Sequence, residues 1–231
     1  IIMLRDEGRL EDRNWMHFLG TAQLDWSVYL TAIQRELRKS VNENISLSFD
    51  CASPFIATAN GRIYTDTVFS KKKMTIRMDF APDNKLLKNS QIPFPWQSAI
   101  TNDMVMGDVC AYGPTDTNKI GKIGKTSWDS FSYALMMAHN VYTHIRSVEK
   151  ANQLADIEYA SYSPDWRHWR KLKDNDRSDD YSEWIPRNLL YFNGFVKELF
   201  STEKPMEMLE DARSFLDSCA NTRWRKSSHF D

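Results

Sequence analysis

Residues 45–54 read ISLSFDCASP, and this stretch decides how the rest of the chain is interpreted. Ile45, Leu47 and Phe49 alternate with serines, which predicts a strand whose apolar side chains share one face. Asp50 comes directly after it, and the proline that closes the stretch interrupts backbone pairing. In a barrel of parallel strands and helices, catalytic side chains lie at the carboxyl ends of the strands. Asp50 is therefore a candidate nucleophile, and the alternative is an aspartate that caps a helix or forms an Asx-turn.

The residues before this strand predict the first half of a β-α-β unit. A short strand ends at Gly20, and Asp25 can cap an amphipathic helix that reaches about Lys39. Its apolar positions follow helical spacing: Trp26, Tyr29, Leu30, Ile33 and Leu37. Asn42 and Asn44 then turn the chain into the Asp50 strand, which makes the two strands neighbours in a parallel sheet.

Composition excludes several classes of protein. The chain has 231 residues, a net charge of −1 and 42% hydrophobic residues, which is enough for a core of one domain with an extension. It has no apolar run of membrane-spanning length and no signal-peptide pattern, so a membrane or secreted protein is not expected. Its three cysteines, Cys51, Cys110 and Cys219, are too few for a disulfide framework. We therefore expect a protein of the reducing cytoplasm.

Positive charge is concentrated locally, although the whole chain is nearly neutral. Three basic segments stand out, the last of them interleaved with tryptophans: Lys71, Lys72 and Lys73; Lys119, Lys122 and Lys125; Arg167, Arg170 and Lys171 with Trp166 and Trp169. Basic side chains that alternate with aromatic ones can pair with phosphates and stack on bases. The first and third segments are candidate nucleic-acid contacts, and the alternative for each is a solvated surface.

Several motifs in order resemble the queuine/archaeosine guanine transglycosylases of tRNA. The matching segments are FDCASP at 49–54, NGRIYT at 60–65, MTIR at 74–77, HFLGTA at 17–22 and LMMAHN at 135–140. This resemblance implies an α/β fold, the C-terminal part of a TIM-type (β/α)8 barrel. Because a full barrel needs about 250 residues, the chain is interpreted as truncated at its start or as a split gene product. It would then pair with a missing N-terminal half or with a second copy of itself.

The resemblance also predicts the domain organisation. Residues 1–155 would form the barrel part, with an irregular insertion at about 82–126, and residues 156–231 a Trp- and charge-rich helical extension. Two helices are expected in that extension, at about 186–200 and 204–220. Between 127 and 150, periodicity alone favours one long helix. The resemblance instead implies a short strand ending near His139 and a helix from Asn140, and this is the interpretation we adopt for the sequence.

The chemistry implied by the resemblance is base exchange at guanosine. Asp50 would attack C1′ as guanine departs, and a 7-deazaguanine base would then displace the aspartate with net retention of configuration. The family's general acid/base aspartate lies on earlier strands than those found here. Leu19, Gly20 and Thr21 match the rim of the base pocket, and Phe55 is a candidate for stacking beside an extruded nucleotide.

The sequence differs from the family first at the positions of the structural zinc ligands. The family binds zinc through three cysteines and a histidine, and the matching positions here are Asp108, Cys110, Gly113 and His139. Glycine has no ligand atom, so at most three ligands remain of a four-ligand site. We expect zinc to be absent or substoichiometric, and the reaction requires no other cofactor. The alternative roles are a buried thiol for Cys110 and a hydrogen-bonded side chain for His139.

The sequence differs from the family secondly in the residues that would contact the substrate. The tRNA enzymes carry arginines shortly after the nucleophile, whereas no arginine lies between Asp50 and Arg62 here. Since guanidinium groups are suited to phosphate and guanine recognition, this chain is more similar to the relatives that insert 7-deazaguanine into bacterial or bacteriophage DNA. The alternatives are a tRNA substrate, a non-catalytic accessory subunit, and a glycoside or nucleoside hydrolase. A hydrolase would need a second carboxylate, for which Asp25 is the nearest candidate.

Overall fold

The described residues form a mixed α/β structure in which helices predominate, with 54% helix and 14% strand. The computed structural model describes residues 1–82, 85–87, 89–110, 130–161, 164–170 and 184–220. The predicted basic positions Lys119, Lys122, Lys125 and Lys171 lie outside these ranges, as does Gly113.

The predicted β-α-β unit is confirmed. Strand β1 (Trp15–Phe18) pairs in parallel with β2 (Ser46–Phe49), and helix α2 (Leu24–Ser40) connects them. A short helix, α1 (Ile2–Asp6), precedes the unit. The expected cap is wrong in detail, because Gln23 is the N-cap of α2 and Asp25 lies inside its first turn, buried. Ile45 and Leu37 are fully buried between this sheet and α2 together with Leu10.

A short helix and a hairpin follow the Asp50 strand. Helix α3 (Ser53–Ala59) has Pro54 in its first turn, where a missing backbone N–H costs little. It ends at the NG step, since Gly61 adopts a φ of 69° that terminates a helix readily. Strands β3 (Arg62–Phe69) and β4 (Met74–Phe80) then pair antiparallel.

The predicted insertion at 82–126 is irregular where the structure describes it. It contains a 3₁₀ turn at Lys85–Leu87 and the short helix α4 (Met106–Val109). Phe94, which is fully buried, packs with Ile63 of β3 and Met136 in a small core of its own. The insertion is therefore anchored to the hairpin and to the long helix that follows.

The strand expected to end near His139 is wrong. Residues 130–161 form one continuous helix, α5 (Ser130–Ser161), as periodicity alone had favoured. Met136, Ala151 and Ala155 are buried along it, together with His139 and Asn140. The family resemblance had implied the strand end, whereas His139 and Asn140 lie on the buried face of a helix and bond to Tyr64 and Thr58 on other elements.

The two predicted C-terminal helices are confirmed, the second in two pieces. They are α6 (Arg187–Ser201), α7 (Pro205–Asp211) and α8 (Arg213–Cys219). The predicted domain boundary at 155/156 falls inside α5, and α6 packs against both α2 and α5. Residues from both sides of that boundary share the largest hydrophobic core, including Val28, Ala151 and Phe195.

The sheets of this protein are small. In the described residues, each of the two sheets contains two strands, and a closed barrel is not seen. Within the same ranges, none of the helices combines the length and the apolar character needed to cross a membrane.

Candidate functional site

Asp50 lies at the carboxyl edge of the parallel sheet, and backbone groups hold it there. The Asp50 N–H donates to Phe18 O at 3.3 Å, and the Thr21 N–H donates to Asp50 O at 2.9 Å. The Gly20 N–H donates to the carboxylate oxygen Oδ1 at 3.1 Å. Gly20 has a φ of 74°, a conformation that other residues adopt only with strain. The predicted nucleophile and two of its predicted neighbours, Gly20 and Thr21, therefore meet at one edge.

The carboxylate remains accessible to a ligand. The Asp50 side chain is 60% exposed. In the described part of the chain, its direct side-chain contacts are made by Oδ1. Leu19, which follows β1, is 79% exposed, and Phe55, which follows β2, is 45% exposed. An exposed aromatic ring such as that of Phe55 is suited to contact a flat ring system.

His17 is a site residue that sequence reasoning missed. Its Nε2 lies 3.7 Å from Asp50 Oδ1, and its Nδ1 lies 2.8 Å from Ser48 Oγ. Ser48 Oγ also accepts a hydrogen bond from Trp15 Nε1 at 2.7 Å. A Ser48 hydroxyl that donates to Nδ1 leaves the proton on Nε2, toward Asp50. The signal was available: His17 is directly opposite Ser48 if the two predicted strands pair in parallel, as they do.

A cavity of about 390 Å³, which we call the hairpin cavity, opens beside this edge. Its lining includes Asp25, Ser53, Tyr64, Lys72, Lys73 and His144. His144 is 8% exposed, and in the described residues its Nδ1 has no hydrogen-bond partner. Cys51 Sγ lies 3.8 Å from His144 Nε2. Burial, with a smaller contribution from Cys51, raises the pKa of Tyr64 to about 12, so its hydroxyl stays protonated.

We expect His144 to make folding sensitive to mild acid. Burial lowers the pKa of His144 below its ordinary value of about 6.5. Below that pH the unfolded chain binds more protons than the folded one, so the free energy of unfolding falls as pH falls. His144→Leu should reduce the proton uptake on unfolding between pH 7 and 5 by up to about one. Urea unfolding at several pH values measures this, and His168→Gln, at an exposed histidine, is the control.

Equal pH dependence in the parent and in His144→Leu would contradict this expectation. The other titratable and charged groups near His144 are the same in the parent and in His144→Leu. These groups are Cys51, Asp25, Lys72 and Lys73.

The residues matched to the family's zinc ligands make other contacts. His139 Nε2 donates to Tyr64 O at 2.8 Å, and its Nδ1 lies 2.9 Å from Ser98 Oγ, so both ring nitrogens are engaged. Burial lowers the pKa of His139, which keeps the ring neutral. Asp108 Oδ2 accepts from the Val105 N–H at 2.8 Å, and Cys110 is buried. No group of three or more potential metal ligands occurs among the described residues.

The tryptophan-rich basic segment has a partly structural role. Trp166 is buried, and its Nε1 donates to Glu198 Oε2 at 2.9 Å. Arg167 pairs with both carboxylate oxygens of Glu198 and with Asp165. These contacts fasten the segment to α6. The charge of Arg167 is thus paired with carboxylates. Arg170 instead contacts the neutral hydroxyl of Ser214, which does not neutralise its charge.

Lys71, Lys72 and Lys73 lie in the tight turn between β3 and β4, and all three are exposed. Lys72 and Lys73 line the hairpin cavity. A second cavity of about 430 Å³ is lined by Lys71, Lys72, Trp169, Arg170, Arg187 and Asp25 among others, and we call it the arginine cavity. The two cavities share Asp25 and Lys72. Two basic segments about 100 residues apart in sequence therefore line the arginine cavity together.

Asp25, the nearest candidate for the second carboxylate of a hydrolase, and Asp50 lie in different surroundings. Asp25 is buried in the first turn of α2 and lines both cavities. Asp50 lines neither of them and faces solvent at the sheet edge. The hydrolase alternative, which needs a second carboxylate facing Asp50, stays a prediction.

Comparisons with protein-family models, with curated proteins and with solved structures gave no match.

Proposed function

We propose that the chain is the nucleophile-bearing part of a base-exchange transglycosylase that replaces guanine in DNA with a 7-deazaguanine derivative. The observation that carries the proposal is the position of Asp50. It is an exposed carboxylate at the carboxyl end of a parallel strand, oriented by the Gly20 amide. The resemblance of 17–22, 49–54 and 60–65 to guanine transglycosylases supplies the reaction class. In this proposal the β1-α2-β2 unit belongs to a (β/α)8 barrel.

The proposed chemistry is two displacements at one carbon. Asp50 Oδ2 attacks C1′ of the target nucleotide, the bond from C1′ to guanine breaks, and a covalent glycosyl-aspartate forms. Guanine departs with the bonding electron pair and takes up a proton. The incoming base then gives up a proton from the nitrogen that attacks C1′ and releases the carboxylate, so configuration is retained. The Gly20 amide fixes the carboxylate by its other oxygen, which positions it without occupying the attacking atom. Leu19, Thr21 and Phe55 would border the base.

The preference for DNA rests on the residues that follow Asp50. These form α3, which exposes Phe55 and Ile56 and contains no arginine. The basic hairpin turn at Lys71–Lys73 and Arg170 would contact phosphates. Partners are then DNA and a free 7-deazaguanine base in the cytoplasm, and the reaction requires no metal or organic cofactor.

The test is exchange of radiolabelled guanine. The protein that carries this segment is incubated with labelled free guanine and either duplex DNA or tRNA, and label in the polynucleotide is counted. We expect incorporation into DNA, with little into tRNA. Incorporation into tRNA alone would contradict the DNA substrate and favour a tRNA-guanine transglycosylase. Failure on both polynucleotides would contradict transglycosylation and favour a non-catalytic accessory subunit.

A further inference from the structure

Strand β4 (Met74–Phe80) is an edge strand, since in the described residues its sheet consists of β3 and β4. Proteins commonly protect such an edge from other strands with a lysine, a proline or a bulge. The sequence of β4, MTIRMDF, contains neither lysine nor proline, and the register shift of the hairpin lies in β3, between Tyr64 and Asp66. Met78 and Phe80 are 47% and 46% exposed. The edge of β4 is therefore open to pairing.

The hydrogen bonds of Asn140 reveal which backbone groups of β4 point outward. The Tyr64 N–H donates to Asn140 Oδ1, and Asn140 Nδ2 donates to Arg62 O, so these backbone groups of β3 point away from β4. Arg62 lies opposite Phe80, and Tyr64 lies opposite Met78. In an antiparallel ladder, two opposite residues either bond to each other or both turn their backbone groups away. The N–H and C=O groups of Met78 and Phe80 therefore point to the outer edge.

The outward backbone groups lack partners on other elements. Because orientation alternates along a strand, Ile76 belongs to the same set as Met78 and Phe80. Within the described ranges, the backbone groups of these three residues make no hydrogen bond to another element, and the Phe80 N–H bonds only to the adjacent Asp79 Oδ1, at 2.8 Å. A second strand can thus bond to β4 at Ile76, Met78 and Phe80.

The charges of β4 favour a second copy of β4 in one register. Arg77 and Asp79 are both exposed. With a two-fold axis at Met78, Arg77 of each chain lies opposite Asp79 of the other, and Ile76 lies opposite Phe80. An axis at Arg77 or at Asp79 would place like charges opposite each other, which is destabilising. An axis between two residues would set outward groups against inward ones and lose the hydrogen bonds.

We propose that β4 pairs antiparallel with β4 of a second copy of this chain, about a two-fold axis at Met78. The two hairpins then form a single sheet with the strand order β3-β4-β4-β3. Pairing over residues 76–80 forms about six hydrogen bonds between the chains, with an Arg77–Asp79 pair on each side of the axis. So short an interface gives a weak dimer that exchanges with the monomer. The inference does not depend on base exchange at Asp50.

Sedimentation velocity of the full chain at increasing concentration tests the pairing. The parent should shift from monomer to dimer as its concentration rises through the micromolar range. Arg77→Asp and Asp79→Arg each set like charges against each other across the axis, so each variant alone should stay monomeric there. Arg213→Asp is the matched control, since Arg213 is exposed at the start of α8, and it should associate as the parent does.

Two results of this experiment would overturn the proposal. One is a parent that stays monomeric at every concentration. The other is a dimer that persists unchanged in Arg77→Asp or in Asp79→Arg, because it would then form through another surface. Far-UV circular dichroism of each variant should match that of the parent, since both side chains are exposed.

Mixing the two single variants tests the register itself. Arg77→Asp leaves only acidic side chains at the two positions, and Asp79→Arg leaves only basic ones. The mixture should therefore form a heterodimer, although neither variant associates alone. The double variant Arg77→Asp/Asp79→Arg restores both pairs with their charges exchanged and should associate as the parent does. A mixture and a double variant that both stay monomeric would refute the register.

Met78→Cys gives a covalent readout of the same axis. The two introduced cysteines would face each other with their Cα atoms about 5.5 Å apart, within the range of a disulfide, so mild oxidation should link the chains. In Thr75→Cys, the control, the two copies would be about 20 Å apart in this register. The oxidised parent gives the background from Cys51, because Cys110 and Cys219 are buried. Cross-linking of Met78→Cys no greater than that of Thr75→Cys would contradict the proposed axis.

Discussion

Asp50→Asn is expected to abolish base exchange, lowering the rate of guanine incorporation by about 10³-fold or more. The amide keeps the shape of the side chain and can still accept a hydrogen bond from the Gly20 N–H. It lacks the negative charge that forms the bond to C1′, so no glycosyl intermediate can accumulate. The measurement is incorporation of labelled guanine, together with trapping of a covalent protein–DNA adduct that only the parent should form.

The control for this loss is Asp12→Asn. Asp12 is exposed and precedes β1, at the amino end of the same sheet, so the variant removes one charge away from the site. Asp12→Asn should exchange guanine at the parental rate, and Asp50→Asn should still bind DNA. Asp50→Glu should also be inactive, because one added methylene displaces the oxygen by about 1 Å or more. Exchange at the parental rate by Asp50→Asn would refute the proposed mechanism.

Asn140→Ala is expected to destabilise the fold by about 3 kcal/mol, or about 6–12 °C in Tm. Asn140 is fully buried and joins three elements. Its Nδ2 donates to Thr58 Oγ1 at 2.9 Å and to Arg62 O at 3.1 Å, and its Oδ1 accepts from the Tyr64 N–H at 2.8 Å. Alanine leaves these buried groups without partners and leaves a cavity.

Urea denaturation measures this difference directly. Gln153→Ala is the matched control, because it removes an amide from an exposed position of the same helix and should change stability by less than about 0.5 kcal/mol. Equal stability of Asn140→Ala and Gln153→Ala would mean that the bonds from α5 to α3 and β3 do not hold these elements together.

The elements predicted correctly are those with a local signal. Period-two alternation marks β2, and helical spacing of apolar residues marks α2 and α6, because each pattern requires one face of that element to be buried. Helix α5 carried the same local signal. The strand expected at His139 was wrong because the family resemblance was followed in place of this local signal; the partners of His139 and Asn140, in contrast, could not be read from any local pattern. Those partners, Tyr64 O and Thr58 Oγ1, are more than 70 residues away.

The sequence by itself determined that Asp50 ends a strand, since alternation and the following proline act over a few residues. Only the tertiary structure decided which polar groups meet. It placed the Gly20 amide on the Asp50 carboxylate, paired Arg167 with Glu198, and brought Lys71 and Arg187 to one cavity. The physical reason is that hydrogen bonds and ion pairs act over a few ångströms, and packing of distant segments sets those distances.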